Sequence, residues 1–101
     1  SFYMLINDLE LRPEIIWGDI TKVPARKFDV ILANINLFVL KESYQAIHDR
    51  LKEGGDLLVS GVLQEKSDAF IELYQQHGFS FQYKVFKGEW SMMHFIAVKR
   101  T

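Results

Sequence analysis

Two asparagines separated by a single residue, Asn34 and Asn36, follow an apolar run that begins at Phe28. An asparagine side chain offers one carbonyl acceptor and two N–H donors, so it can orient an amine without carrying a charge of its own. Asparagine is also among the preferred residues at the N-cap of a helix. The sequence therefore leaves two roles open for this pair, which are orientation of an amine and capping of the following helix.

The run before the asparagines predicts a strand that is buried on both faces. Val30 to Ala33 are apolar in succession, which is usual for a strand in a parallel sheet. In open α/β sheets, ligands bind outside the carboxyl ends of the strands. Asn34 and Asn36 are therefore predicted to lie at the edge of the sheet where a binding cleft forms.

Strand and helix patterns alternate around this run. Periodic apolar residues and glycine stops indicate a strand over 14–17, a helix from Leu40 that Gly54-Gly55 ends, a strand over 56–63 and a helix capped by Gly78. Strand, helix, strand and helix in this order are typical of an α/β fold with a mainly parallel sheet and helices on both faces.

The last quarter of the chain has a different period. Residues 79–86 alternate with a period of two, residues 87–89 supply a turn, and residues 90–99 return. This pattern predicts a C-terminal hairpin strand that runs antiparallel at the edge of the sheet.

The first residues predict the tail of a helix. Phe2, Leu5, Ile6 and Leu9 have the spacing of one helical face, and Arg12-Pro13 closes the segment. Only Ser1 precedes this pattern, so the predicted helix begins without its first turns.

Composition restricts the functions that need to be considered. The chain has 101 residues, of which 49% are hydrophobic and 25% are charged, which fits one globular domain. Twelve basic and thirteen acidic residues give a net charge of −1, so neither nucleic acid nor a membrane is predicted as a partner. The absence of cysteine excludes disulfides and thiolate chemistry and fits a cytoplasmic location, and the three histidines lack metal-ligand spacing, so no metal site is predicted.

Four stretches of the chain are informative together, namely "FDVILANIN", "LKEGGDLLVSGVL", "HGF" and a terminal "EW". In order and spacing they resemble the second half of S-adenosylmethionine-dependent methyltransferases of the Rossmann-like class. Within that class the chain, from Glu14 onward, is similar to the PrmA family, which methylates ribosomal protein L11. The resemblance implies a partial Rossmann-like fold, S-adenosylmethionine as the cofactor, and transfer of its methyl group to an amino group of a ribosomal protein, either a lysine or the N-terminal amine.

The resemblance also implies roles for particular residues. Asn34 and Asn36 would lie beside the transferable methyl group and the incoming amine, with Asn34 also contacting the cofactor. Asp19 would accept a hydrogen bond from the adenine amino group, although an aspartate at this position is also typical of a plain turn. Ser60-Gly61 would line the same cleft or pack under a helix.

Two elements of the family pattern have no counterpart in the chain. None of its six glycines forms a G-x-G motif, and no acidic residue closes a second strand to hold the ribose hydroxyls. Residues 1–101 are therefore predicted to be the C-terminal part of a single methyltransferase domain that lacks the first two strands and the glycine-rich motif. The isolated chain is predicted to bind S-adenosylmethionine weakly or not at all.

Two alternatives follow from these departures. Without the missing strands, the edge of the strand at Val30 to Ala33 would be exposed, which favours a self-associating or partner-binding module and a homo-oligomer through that edge. A methyltransferase that acts on RNA or on a small molecule is the other alternative. A G-x-G-rich strand–turn–helix upstream in the same gene would favour an enzyme over a binding module.

Overall fold

The computed structural model describes residues 1–7 and 13–99, which form one six-stranded sheet and three α-helices. The strands are β1 (Phe2–Ile6), β2 (Glu14–Trp17), β3 (Phe28–Asn34), β4 (Leu51–Leu63), β5 (Phe79–Lys87) and β6 (Trp90–Ala97). The helices are α1 (Leu37–Glu42), α2 (Tyr44–Asp49) and α3 (Ser67–Gln75), and two 3-10 turns lie at Ile20–Lys22 and Gln64–Lys66. No helix among these residues is long and apolar enough to cross a membrane.

The strand order is β2-β1-β3-β4-β6-β5. The predicted α/β class, the strand at residues 14–17, the helix before Gly78 and the antiparallel C-terminal hairpin are confirmed. Of the five strand pairings, β3–β4 is parallel and the other four are antiparallel. The sheet is therefore mixed, and the prediction that it is mainly parallel was wrong.

The prediction of a helix at the start of the chain was wrong for the described residues. Phe2–Ile6 form β1, in which Tyr3 and Leu5 are buried and their neighbours are half-buried. β1 pairs with β3 on one side and β2 on the other, so its backbone groups bond between strands. This tertiary pairing overrides a helical spacing of only a few residues. Residues 8–12, which include the rest of that predicted helix, lie outside the described residues.

The same pairing corrects the prediction of an exposed edge at Val30 to Ala33. β1 lies antiparallel along this edge, with Tyr3 opposite Ala33 and Leu5 opposite Ile31. The outer strands of the described sheet are β2 and β5. Self-association through the edge of β3 therefore has no structural basis.

The two faces of the sheet differ in what covers them. Side chains directly opposite each other on neighbouring strands lie on the same face. The covered face consists of buried residues, namely Tyr3, Leu5, Ile31, Ala33, Leu57, Val59, Met93 and Phe95. The open face consists of half-buried and exposed residues, namely Phe2, Met4, Ile15, Trp17, Leu32, Leu58, Tyr83 and Met92.

The helices pack on the covered face. Tyr74 of α3 stacks on Phe70 with ring centroids 4.3 Å apart and contacts Phe95 of β6 at 5.7 Å. Its hydroxyl donates a hydrogen bond to the carbonyl oxygen of Leu40 in α1 at 2.7 Å, and Ile47 of α2 belongs to the same buried core. Among the described residues, the helices thus lie on one face, and the prediction of helices on both faces was wrong.

The helix predicted to run from Leu40 to Gly54-Gly55 is divided and ends earlier. The Ser43 hydroxyl donates to the carbonyl oxygen of Val39 at 2.7 Å between α1 and α2, a bond that competes with helix geometry. β4 already begins at Leu51, opposite Phe28, and residues 52–55 bulge out before the parallel register with β3 resumes. Gly55 permits this bulge, because a Cβ there would lie 2.9 Å from the carbonyl oxygen of Lys52.

Candidate functional site

Asn34 and Asn36 lie at the carboxyl end of β3, as predicted, but they line two different cavities. Asn34 is the last residue of the strand and is opposite Phe2 and Ser60, which places it on the open face. The strand ends before Asn36, and the chain turns there into α1. The structure therefore does not bring the two amides together around one point.

The first cavity, called here the Asn34 cavity, has a volume of about 410 Å³. Asn34, Ser60, Gly61, Val85, Trp90 and Met92 line it. Gly61 lies at an irregularity in the pairing of β4 with β6 and has φ +88°. A Cβ at Gly61 would lie 3.1 Å from the Oδ1 of Asn34, so the glycine makes room for the amide. Ser60 and Gly61 thus line the same cavity as Asn34.

The Asn34 cavity has the chemistry of a site for a neutral amine. Trp90, about half exposed, contributes an apolar aromatic wall. Lys87 also lines the cavity, and a neighbouring cation disfavours the ammonium form of a bound amine. Asn34 can accept or donate a hydrogen bond to such an amine whatever the pH.

Asn36 caps α1. Its Oδ1 accepts a hydrogen bond from the backbone N–H of Phe38 at 2.8 Å, and its carbonyl oxygen accepts one from the N–H of Leu40 at 3.0 Å. The capping role considered from the sequence is therefore confirmed for Asn36. By fixing the first turn of α1, the cap positions Phe38 at the wall of the second cavity.

The second cavity, called here the Asp19 cavity, has a volume of about 490 Å³. Tyr3, Asp19, Ile20, Ile35, Asn36 and Phe38 are among the residues that line it. Asp19 lies between β2 and the first 3-10 turn, and its Oδ1 accepts a hydrogen bond from the backbone N–H of Thr21 at 2.9 Å. The turn role considered for Asp19 is thus confirmed.

The electrostatics of Asp19 suit an acceptor. The backbone N–H of Thr21, followed by its hydroxyl, holds the pKa of Asp19 below its usual value, and the cations of Lys22 and Arg50 act in the same direction. The carboxylate is therefore ionised at neutral pH and can accept further N–H bonds, since it has more lone pairs than Thr21 occupies. The preceding Gly18 has φ +92°, a backbone conformation that favours glycine in this turn.

The Asp19 cavity fits one end of S-adenosylmethionine. Ile20, Ile35 and Phe38 supply apolar walls for a flat ring, and Asp19 supplies an acceptor for its amino group. The hydroxyl of Tyr3, a fully buried residue of this cavity, has no hydrogen-bond partner among the described residues. These groups fit the adenine ring, whereas no G-x-G loop in the sequence is available for the amino-acid end of the cofactor.

Some residues around the cavities were not identified from the sequence. Tyr3 was assigned to a helix, and its place in the Asp19 cavity depends on the pairing of β1 with β3. The aromatic and branched residues of Phe2–Ile6 were the available signal for a strand.

The histidines have structural partners, since His48 lies 3.0 Å from the carbonyl oxygen of Val98, His77 stacks on Tyr44 and His94 lies 2.8 Å from Asp56.

Comparisons with known proteins agree with the α/β fold and with the sequence resemblance. The family described as "Ribosomal protein L11 methyltransferase (PrmA)" matches residues 5–98. The ribosomal protein L11 methyltransferase of Staphylococcus saprophyticus is 32% identical over 73 residues, and that of Methylococcus capsulatus is 36% identical over 73 residues. These alignments cover 72% of this chain but only 23% and 24% of the two relatives.

Solved structures show the same fold at lower identity. The ribosomal protein L11 methylase of Lactobacillus delbrueckii subsp. bulgaricus matches with a TM-score of 0.66 and 23% identity, over 72% of this chain and 38% of that one. A methyltransferase from Pyrococcus furiosus matches with a TM-score of 0.66 and 22% identity, over 82% of this chain and 47% of that one. The described sheet and helices are thus similar to part of a methyltransferase fold.

Proposed function

The chain belongs to the ribosomal protein L11 methyltransferase (PrmA) family, and we propose that it forms part of an enzyme that methylates amino groups of a ribosomal protein with S-adenosylmethionine. The observation that carries the proposal is the match of the family over residues 5–98. Because the chain spans 23% of the length of a curated relative, the activity is proposed for the complete gene product that contains this chain.

In this proposal, the Asp19 cavity holds the adenine end of the cofactor. The ionised carboxylate of Asp19 accepts a hydrogen bond from the adenine amino group, and Ile20 and Phe38 pack against the ring. When bound, the sulfonium of S-adenosylmethionine supplies an activated methyl group, so no covalent enzyme intermediate is needed. The chain's contribution to this half of the reaction is binding and orientation.

The Asn34 cavity receives the amine in this proposal. The Asn34 amide orients the nitrogen lone pair, while the wall formed by Trp90 and the cation of Lys87 favour the neutral form that can react. Asn36 serves the site as a positioning residue, because its cap fixes the turn that separates the two cavities. The acceptor is a lysine or an N-terminal amine of a ribosomal protein, and a cytoplasmic location fits such a substrate.

The test is a methyl-transfer assay with the complete gene product, labelled S-adenosylmethionine and a mixture of ribosomal proteins and ribosomal RNA. We expect label in the protein fraction, on ribosomal protein L11. Asn34→Ala is expected to lower kcat about 100-fold, because a misplaced nucleophile forfeits orientation. Asp19→Ala is expected to raise the KM for S-adenosylmethionine about tenfold, because one charge-assisted hydrogen bond is lost.

Matched controls separate these effects from general damage. Gln82→Ala removes an exposed amide that bonds only within its own strand, at Ser80, among the described residues, and Asp68→Ala removes a carboxylate whose side chain is 90% exposed. Both controls are expected to retain the original kcat and KM. Label found in RNA or in a small molecule would contradict the protein substrate, and equal losses in the controls would contradict the assigned roles of Asn34 and Asp19.

A further inference from the structure

The Tyr3 hydroxyl is an unusual feature of the Asp19 cavity. Tyr3 is 0% exposed, it lines the cavity, and its hydroxyl has no hydrogen-bond partner among the described residues. Buried polar side chains in native proteins nearly always have a partner, so an orphaned hydroxyl at a cavity requires an explanation. A phenylalanine at this position of β1 would fill the same space without the cost of an unmade bond.

The groups around Tyr3 leave its hydroxyl available as a donor. Burial raises the pKa of Tyr3, a nearby Ser43 hydroxyl opposes this shift, and the Asp19 carboxylate adds to it. Ser43 donates its own hydrogen to Val39 at 2.7 Å and does not meet hydrogen-bond geometry with Tyr3. At neutral pH the Tyr3 hydroxyl therefore keeps its proton, and it makes no hydrogen bond to the described residues.

The cavity offers a complementary set of groups. Asp19 is an ionised acceptor, Tyr3 is a donor that has no hydrogen-bond partner in residues 1–7 and 13–99, and Ile35 and Phe38 are apolar walls. An acceptor and a donor facing one apolar cavity suit a flat ring that has an exocyclic amine and a nitrogen lone pair. Aminopurines have both groups in the plane of one ring.

We propose that Tyr3 is a further ligand-binding residue of this site and donates a hydrogen bond to a ring nitrogen of the aminopurine whose exocyclic amine Asp19 holds. The proposal deepens the proposed function and rests on its assignment of the adenine end to the Asp19 cavity. It makes β1, a strand assigned no role from the sequence, part of the ligand site.

The test measures the dissociation constant of adenosine by NMR titration of the complete gene product that contains this chain, and of its variants. Tyr3→Phe removes only the hydroxyl and is expected to weaken adenosine binding by roughly threefold to tenfold, the effect of one neutral hydrogen bond. Tyr44→Phe is the matched control, because Tyr44 stacks on His77 and is outside the lining of this cavity. This control is expected to bind adenosine as the unchanged protein does.

Deaza analogues identify the acceptor. In 1-, 3- and 7-deazaadenosine, a C–H group replaces one ring nitrogen. We expect one of the three analogues to bind equally well to Tyr3→Phe and to the unchanged protein, because that analogue lacks the ring nitrogen that accepts the Tyr3 hydrogen bond. Thermal denaturation should show that Tyr3→Phe is at least as stable as the unchanged protein, since no internal hydrogen bond is lost.

Each other result would overturn an identifiable claim. Equal adenosine binding by Tyr3→Phe and the unchanged protein would mean that water satisfies the hydroxyl, and the role of Tyr3 would be wrong while the proposed function stands. If the unchanged protein binds all three analogues more tightly than Tyr3→Phe does, the ring-nitrogen contact is also excluded. Absence of adenosine binding by the unchanged protein, even at millimolar ligand, would overturn both this inference and the assignment of the adenine end to the Asp19 cavity.

Discussion

The two faces of the sheet are built from similar residues and have different surroundings. The covered face carries α1, α2 and α3, and its aromatic residues form one packed cluster around Tyr74. The open face is also rich in apolar residues, yet Trp17 is 68% exposed and Tyr83 is 53% exposed. Stability should therefore depend on the covered face, whereas substitutions on the open face should change the surface and leave the fold intact.

The comparison extends to the two cavities. The Asp19 cavity lies against α1 and the buried Tyr3, so its walls belong to the covered side. The Asn34 cavity lies among open-face residues such as Met92 and Ser60. Binding at the Asp19 cavity should be sensitive to packing, and reaction at the Asn34 cavity should be sensitive mainly to the Asn34 amide itself.

The largest contrast is expected between the tyrosines of the two faces. Tyr74→Ala should lower the free energy of unfolding by about 3–5 kcal/mol, because it removes a fully buried ring and leaves a cavity. Tyr83→Ala should lower it by about 1 kcal/mol or less, the usual range for a cross-strand contact, here with His94. Urea denaturation followed by circular dichroism measures both. Similar losses for the two variants would mean that the open face is packed in solution.

The second contrast is the response of stability to alkaline pH. Burial raises the pKa of Tyr74 far above the value of 10.0 that applies to the unfolded chain. Above pH 10.0 the unfolded chain loses the Tyr74 proton while the folded protein keeps it. The free energy of unfolding, which is highest for this group at lower pH, therefore falls by about 1.4 kcal/mol per pH unit. Tyr3, whose pKa is also raised, should add to the slope.

The measurement is the free energy of unfolding in urea at several values of pH from 8 to 11. Tyr74→Phe should make the slope shallower, because the titrating group is removed. It should also cost about 1 kcal/mol at neutral pH, since the bond to the carbonyl oxygen of Leu40 is lost. Tyr83→Phe is the control, because the exposed side chain contacts solvent in the folded protein. An unchanged slope in Tyr74→Phe would contradict the burial of its hydroxyl.

Several elements of this fold could be predicted from the sequence because local signals agree with the tertiary structure. The strand ending at Asn34 has an unbroken apolar run. The helix before Gly78 and the hairpin around Gly88 each have a clear period and a glycine with positive φ. β1 could not be predicted in this way, because its strand conformation depends on the register with β3. An apolar run such as Val30 to Ala33 likewise does not reveal which face the helices will cover.

The site shows the same division between local and tertiary information. Asp19, Asn34 and Asn36 could be selected by residue type and by their position after strands. Whether the two amides share a cavity depends on where β3 ends, because the chain turns after Asn34 and sends Asn36 into the cap of α1. Tyr3 could not be found, since its place in the site requires β1.

The third contrast concerns the two asparagines. Asn36→Ala should lower the free energy of unfolding by about 1 kcal/mol, because the N–H of Phe38 loses its capping acceptor. Asn34→Ala should leave stability unchanged to within about 0.5 kcal/mol, because Asn34 is exposed at the open face. Thermal and urea denaturation of both variants give the comparison. A larger loss in Asn34→Ala than in Asn36→Ala would reverse the structural roles assigned here.

The smallest effect is expected for a polar substitution on the open face. Ile15→Thr keeps a β-branched side chain on β2, where Ile15 is 48% exposed, so the free energy of unfolding should change by no more than about 0.5 kcal/mol. The same substitution on the covered face, Ile31→Thr, should be much more costly, since Ile31 is fully buried and a hydroxyl would replace part of its packing.

A dye that fluoresces on apolar surfaces provides an independent measurement of the open face. Ile15→Thr combined with Trp17→Thr should lower its fluorescence with the folded protein, because contiguous exposed apolar residues bind such dyes. Asp68→Ala, at an exposed helix position, is the control and should leave the fluorescence unchanged. If Ile15→Thr costs as much stability as Ile31→Thr and the dye signal of the double variant does not fall, the open face must be covered in solution. The difference between the two faces would then reflect an additional partner rather than the packing of this chain.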